Sequence, residues 1–141
     1  MSFFNDWRLR SAVRRGDMDR LSELVARGAD IESKDASGFT CLMIAANRGE
    51  TRVIARLLSL GADANATSTV GGRWSGFTPL MAACCDSTAS VEPVRQLLEA
   101  GADPRAVDNL DRIALDYAVL SNYEEIAELL RSRLETDASV E

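Results

Sequence analysis

Thr78-Pro79-Leu80-Met81-Ala82-Ala83 opens a unit that Gly101-Ala102-Asp103 closes, and reading this pair of motifs decides the fold. Working outward, the same closing tripeptide stands at Gly28-Ala29-Asp30 and at Gly61-Ala62-Asp63. Gly28 to Gly61 is 33 residues, and Gly61 to Gly101 is 40. Leu9 and Leu42 stand 19 residues before the first two closing glycines, and Leu80 stands 21 before the third. Three positions after each leucine comes a small residue: Ala12, Ala45 or Ala83. A fourth copy begins at Leu115 and Ala118 and runs to Leu134 without a closing tripeptide. Self-similarity at such a period marks a stack of repeated supersecondary units.

Local chemistry divides each unit into two helices. Thr40 and Thr78 are suited to cap the first helix, and Pro79 sits where its missing N–H costs nothing. Leu42, Ala45 and Ala46 line one face at 3/4 spacing, with alanines that let neighbouring helices approach closely. Gly16, Gly49 and Asn122 are placed to end the first helix in a left-handed cap. The second helices carry apolar stripes: Leu21, Leu24 and Val25; Ile54, Leu57 and Leu58; Val94, Leu97 and Leu98; Ile126, Leu129 and Leu130. No single helix pair buries such a face, but stacked neighbours do. The ends read as caps. Phe3, Phe4 and Trp7 are available to cover the exposed side of the first repeat, and Glu124, Glu125, Glu128, Arg131 and Arg133 give the last a solvated face.

Thr40-Cys41-Leu42-Met43-Ile44-Ala45, Thr78-Pro79-Leu80-Met81-Ala82-Ala83 and Ile113-Ala114-Leu115-Asp116-Tyr117-Ala118 resemble the signature of the ankyrin repeat family. Only the second keeps Thr-Pro-Leu intact, and none keeps the histidine of that signature. The resemblance implies an all-α solenoid of about four helix-turn-helix units with β-turn or hairpin loops. The expected domain is 1–134, with repeats near 5–34, 35–66, 67–106 and 107–134, followed by a flexible tail over 135–141.

Composition narrows the chemistry. The chain has 141 residues, one domain's worth, with 46% hydrophobic and 27% charged residues, as in ordinary globular proteins. A net charge of −6 disfavours affinity gained mainly by neutralising nucleic-acid phosphates. Residues 107–141 hold 9 acidic and 3 basic side chains, so most of the acidity belongs to the C-terminal quarter. Histidine is absent, which removes the commonest general base, the Ser/His and Cys/His dyads and every imidazole metal site. No apolar run is long enough to suggest a membrane span, and the first residues lack the pattern of a secretory signal. The expected location is the cytoplasm. Cys41, Cys84 and Cys85, odd in number, read as small apolar residues of a reduced protein. Neither a metal nor a cofactor is expected.

The third copy departs from the others by seven extra residues. Five lie within Thr67–Ser75 and two near Asp86–Ser90. Trp74, in the first insertion beside Arg73, has two readings: an interface anchor, or an indole folded back over a neighbouring turn. Gly71 to Gly76 has the glycine spacing of a phosphate loop, but Phe77 replaces the lysine that would reach the phosphates, so a nucleotide site is not expected.

Ankyrin repeats act chiefly as protein-binding scaffolds, through hairpin tips and the concave face of the first helices; the resemblance therefore implies a binding module and not an enzyme. Transferred position by position, it places Phe39 at one tip with Asn47 and Arg48 behind it, and Arg73, Trp74 and Phe77 at the next with Asp86 behind. The last tip offers Leu110 and Arg112. Arg14 and Arg15 also fall toward the concave side, either as a patch for an acidic partner or as solvated arginines. The expected partner is a single protein, with no nucleic acid and no membrane, bound by a chain that is monomeric when free. The use inferred is inhibition, neutralisation or tethering of that partner, with Trp74→Ala and Phe77→Ala expected to weaken capture without unfolding the stack. Two alternatives stand beside it: a self-associating structural protein, and a hydrolase built on carboxylates such as Asp108 and Asp111, which more simply shape a turn.

Overall fold

The computed structural model describes residues 2–69 and 74–139, with side chains from 4 to 136 outside the gap. Eight helices follow in four pairs: α1 (Ser2–Arg15) with α2 (Met18–Ala26), α3 (Cys41–Asn47) with α4 (Thr51–Ser59), α5 (Pro79–Cys84) with α6 (Glu92–Glu99), and α7 (Ala114–Leu120) with α8 (Glu124–Ser139). No strand occurs among the described residues. First helices pack in the order α1, α3, α5, α7, and the second helices α2, α4, α6 form the layer behind them. This is the all-helical repeat solenoid that the spacing implies.

The caps form where the hydroxyls stand. Thr40 Oγ1 accepts the Met43 N–H at 3.3 Å, and Thr78 Oγ1 accepts the Met81 N–H at 3.2 Å. Ile113 occupies that place in the fourth repeat and has no side-chain oxygen, so Asp116 reaches back and its Oδ2 accepts the Ile113 N–H at 2.9 Å. Gly16, Gly49 and Asn122 adopt φ of 67°, 66° and 60°, the left-handed caps that their positions call for.

The closing Gly-Ala-Asp acts as a stitch between repeats. Asp30, Asp63 and Asp103 each accept the N–H two residues on, at 2.9, 2.8 and 2.9 Å, and so fold the chain into the next unit. Their own N–H groups donate backward. Asp63 donates to Glu32 Oε1 at 2.8 Å and Asp103 to Asn65 Oδ1 at 2.7 Å, each across a repeat boundary, whereas Asp30 donates to Asp6 Oδ1 at 2.7 Å within the first repeat. A polar side chain of one repeat thus satisfies the backbone of the next at both inner boundaries.

The core runs unbroken through the stack. Leu9, Leu21 and Leu24, Leu42, Ile54 and Leu57, Leu80 and Leu97, and Ile126 and Leu130 are almost wholly removed from solvent. Each contributes roughly 1.5–3 kcal/mol of burial that no isolated repeat could realise.

Two expectations at the ends change. Phe4 and Trp7 do not fold over the first repeat; α1 begins at Ser2 and holds both side chains out in solvent. At the other end α8 continues through residues 135–139, over most of the stretch assigned to a tail, with Thr136 Oγ1 donating to Ser132 O at 2.9 Å.

Candidate functional site

The turn tips are built on one recurring acceptor. Asp35 Oδ1 accepts the N–H groups of Ser37 and Phe39 at 2.9 and 3.1 Å, while Asp35 N–H donates to Phe39 O at 3.0 Å. Asp108 repeats this with Leu110 and Arg112 at 2.8 and 3.0 Å. In the third repeat Ser68 takes the place: its N–H donates to Phe77 O at 2.9 Å and its Oγ accepts the Phe77 N–H at 3.0 Å. The frame is thus kept although five more residues separate Ser68 from Phe77 than separate Asp35 from Phe39. Adjacent tips touch as well, Asn109 N–H donating to Ser75 O at 3.0 Å.

On this frame the aromatic side chains form a row across three repeats. Trp74 and Phe77 meet edge to face at 5.2 Å between ring centroids, and Phe39 lies 6.2 Å from Trp74 and 5.8 Å from Phe77. Phe77 continues the row to Tyr117 at 5.4 Å, and the Arg112 guanidinium stands 5.7 Å over the Tyr117 ring. Beneath the tips a groove of about 350 Å³ opens on the face of the first helices. The aromatic cluster of Phe39, Trp74 and Phe77 lines it together with Met43, Ile44, Ala82 and Cys85 from α3 and the α5 segment. Arg14, Asp35, Asn47 and Arg48 supply its polar edge.

The predicted residues divide accordingly. Phe39, Asn47, Arg48, Trp74 and Phe77 come together at the groove. Arg73 lies outside the described residues. Trp74 is 38% exposed, so the indole both folds over its neighbours and presents a face to solvent. Phe77 is only 4% exposed and serves as the keystone beneath Trp74; the expectation that its truncation spares the fold is corrected on that ground. Asp86 is buried, its carboxylate engaged with Thr88 Oγ1 and accepting the Thr88 N–H at 3.1 Å, which occupies it in shaping the loop after α5. Leu110 is exposed at the third tip and Arg112 is half-buried against Tyr117, both away from the groove lining.

Asp35, Met43, Ile44 and Ala82 were not among the predicted site residues, and the sequence places Arg14 on the concave side with two readings open, a patch for an acidic partner or a solvated arginine. Arg14 meets Asp35 Oδ2 at 3.4 Å, and Arg48 Nη2 donates to the Arg14 carbonyl at 3.1 Å. Position Asp35 was legible as the acidic start of a turn aligned with Asp108. Met43 and Ile44 carry no signal that separates groove floor from core, since both stand on one apolar helix.

Titration behaviour marks structural roles. Burial pulls the Asp108 carboxyl upward, but hydrogen bonds from the Tyr117 hydroxyl and the Arg112 and Leu110 N–H groups, with the Arg112 charge, outweigh it and hold the group below the usual carboxylate range. Burial, then the Asp108 carboxylate, pushes Tyr117 up to about 12. Asp108 is thus a fixed anionic acceptor at the base of a turn, and Asp111 stands exposed at φ 58° within the same turn. Burial raises all three thiols, Cys41 to about 12, which leaves them protonated and poor nucleophiles. Among the described residues no three His, Cys, Asp or Glu side chains converge as a metal-binding group, and no helix is long and apolar enough to cross a membrane.

A family model described as ankyrin repeats (3 copies) matches residues 9–108 and 60–141. A putative ankyrin repeat-containing protein of Treponema pallidum is 34% identical over 112 residues, 79% of this chain and 35% of that protein. The human protein phosphatase 1 regulatory subunit 27 is 41% identical over 63 residues, 45% of this chain and 41% of its own length. The glycerophosphocholine phosphodiesterase gde1 of Schizosaccharomyces pombe is 32% identical over 120 residues, 84% of this chain but 10% of the enzyme. The chain spans less than half the length of each of these relatives.

Proposed function

The chain belongs to the ankyrin repeat family, and on that premise we propose that it docks a single protein partner through its turn tips and concave face. Ankyrin repeats generally mediate protein–protein interaction, and the family is generally non-catalytic. The observation that carries the reading is the groove: apolar side chains from two adjacent repeats, Phe39 and Trp74, are held open to solvent by a hydrogen-bonded frame, with Asn47 and Arg48 at the edge. A rigid aromatic wall with polar groups at its rim is the anatomy of an interface core. The use proposed is regulation by occupancy, as inhibitor, neutraliser or adaptor. The human relative's name is that of a regulatory subunit, which accords with this use.

Affinity capture with the intact chain tests the reading. A protein retained by the wild type and by Glu128→Arg, but lost from Trp74→Ala/Arg48→Glu with unchanged circular dichroism, is the expected result. Equal retention by the groove variant would overturn it.

One observation favours a second reading, self-association. Val119 follows Ala118 as Ala46 follows Ala45 and Cys84 follows Ala83; Ala46 and Cys84 are fully buried, whereas Val119 is 49% exposed. Light scattering across concentration separates the two: a constant monomer mass supports docking of a foreign partner, and a rising mass supports stacking of copies.

A further inference from the structure

We propose that the groove between Phe39 and Trp74 is an anchor pocket for a bulky apolar side chain of an acidic peptide segment, whose neighbouring carboxylate is held by Arg14 and Arg48. The proposal rests on the docking reading above and adds the chemistry of what is docked. Its first support is the apolar share of the lining. Phe39, Met43, Ile44, Trp74 and Phe77 supply apolar surface, with Phe39 and Trp74 in ring contact, and a void of about 350 Å³ is of the size that receives a large side chain with part of its flanking chain. The groove is open along the face of the first helices, so whatever fills it continues beyond it, as an extended or helical peptide does.

The second support is charge. The ionised groups of the lining are Arg14, Arg48 and Asp35, a surplus of one positive charge. Behind them α1 carries Arg8, Arg10, Arg14 and Arg15 against the single acid Asp6. Arg48 Nη2 donates to the Arg14 carbonyl at 3.1 Å, using one of the five guanidinium donors. Both lining arginines are about half exposed, at 49% and 47%, and their ion pairs are long: Arg14 meets Asp35 at 3.4 Å, and Arg48 meets Glu50 at 4.0 Å. Pairs of this exposure contribute on the order of 0–1 kcal/mol, so an incoming carboxylate displaces or shares them at little cost. Beside an apolar side chain that excludes water, the same contact is strengthened. The acidic partner is therefore complementary to this half of the molecule, whereas a basic one would meet the guanidiniums.

The molecule supplies its own reporter. It holds two tryptophans, Trp7 and Trp74, and Trp7 is exposed on α1 outside the groove lining. In a Trp7→Phe background the indole emission comes from the groove wall alone. The probes are three capped octapeptides: Gly-Glu-Glu-Leu-Phe-Glu-Glu-Gly, the same with Ser-Ser for Leu-Phe, and the same with lysine for every glutamate. The expected result is a saturable emission shift with the first peptide only. Its dissociation constant should rise about tenfold on Arg14→Gln/Arg48→Gln and rise again with added salt. Equal binding of the serine or lysine peptide, an unchanged constant in the double variant, or no saturable shift with the first peptide would each overturn the proposal. If the peptide fails while Trp74→Ala still abolishes whole-protein capture, the anchor chemistry falls and the docking reading stands. Capture indifferent to Trp74→Ala removes the docking reading itself.

Discussion

Ser68 Oγ accepts the Phe77 N–H at 3.0 Å from nine residues away, where Asp35 does the same for Phe39 from four. The Ser68 hydroxyl also donates to the Trp74 carbonyl. One small side chain thus closes an enlarged turn and fixes the backbone that aims Trp74 at Phe77 and Phe39. The groove wall is set before any partner arrives, which reduces the ordering cost of binding.

Ser68→Ala removes that partner from the Phe77 N–H and the Trp74 carbonyl, which keep their mutual bond of 3.3 Å. The expected loss is about 1 kcal/mol of unfolding free energy, with a red shift of Trp74 emission in the folded state as the turn loosens. Urea titration followed by fluorescence measures both, and a variant matching the wild type in each would show that the insertion holds its shape by other means.

Phe77→Ala and Trp74→Ala should separate cleanly. Phe77 is buried among three rings, so its truncation is expected to cost about 3–5 kcal/mol. Trp74 is partly exposed and at the edge of the row, so its removal is expected to cost about 1 kcal/mol in stability and to act chiefly on docking. Midpoints of thermal unfolding for the two variants, compared side by side, check the order.

Stability should depend on pH through Asp108 and Tyr117 in opposite directions. The folded Asp108 carboxyl lies below its unfolded value, so its contribution is present above an unfolded pKa of about 3.9 and is lost as pH falls through the folded value. Tyr117 is raised from 10.0 to about 12, so its contribution is complete below pH 10 and disappears as pH climbs through that interval. Asp108→Asn should flatten the acid limb and Tyr117→Phe the alkaline limb. Denaturant midpoints measured from pH 2 to 12 read both, and an unchanged acid limb in Asp108→Asn would be the adverse result.

Gly49 and Gly16 share nearly the same φ, +66° and +67°, but not the same surroundings. A Cβ on Gly49 would stand 2.4 Å from Asp86 Oδ2 and 3.0 Å from Thr88 Oγ1, whereas one on Gly16 meets nothing within 4 Å. Gly16→Ala should cost only the left-handed strain, about 1 kcal/mol, and Gly49→Ala should cost about 1–2 kcal/mol more by displacing the loop after α5. Equal losses in the two variants would mean that this loop yields freely.

The sequence made the periodic part of the fold legible because each repeat solves the same problem with the same residue types. In the second and third repeats a threonine accepts the third N–H of the first helix. In the first, second and fourth a glycine or asparagine turns the chain, and in all four a leucine is buried by its neighbours. What escaped notice depended on pairs of repeats together. Asp6, Glu32 and Asn65 are chemically dissimilar yet accept the N–H of a closing aspartate, Glu32 and Asn65 that of the following repeat, so no shared letter announced them. Ser68 stands seven residues after Gly61, as Asp35 stands after Gly28 and Asp108 after Gly101, and was hidden because a serine replaces the aspartate and the insertion separates it from Phe77. Met43 and Ile44 share one apolar helix, and only the spacing of α3 from α5 and from the tips decides which surface is floor and which is core. Phe77 and Trp74 looked equivalent as aromatics near a tip; their burial, 4% exposed against 38%, separates them.

Photo-cross-linking of the captured partner tests the account most directly. A photoreactive residue is placed at Asn47, on the groove edge, or at Glu128, on the exposed face of α8. Recognition through the groove predicts a covalent adduct from position 47 and none from position 128. An adduct from 128 with none from 47 would place the partner on the opposite side of the stack and contradict the central claim.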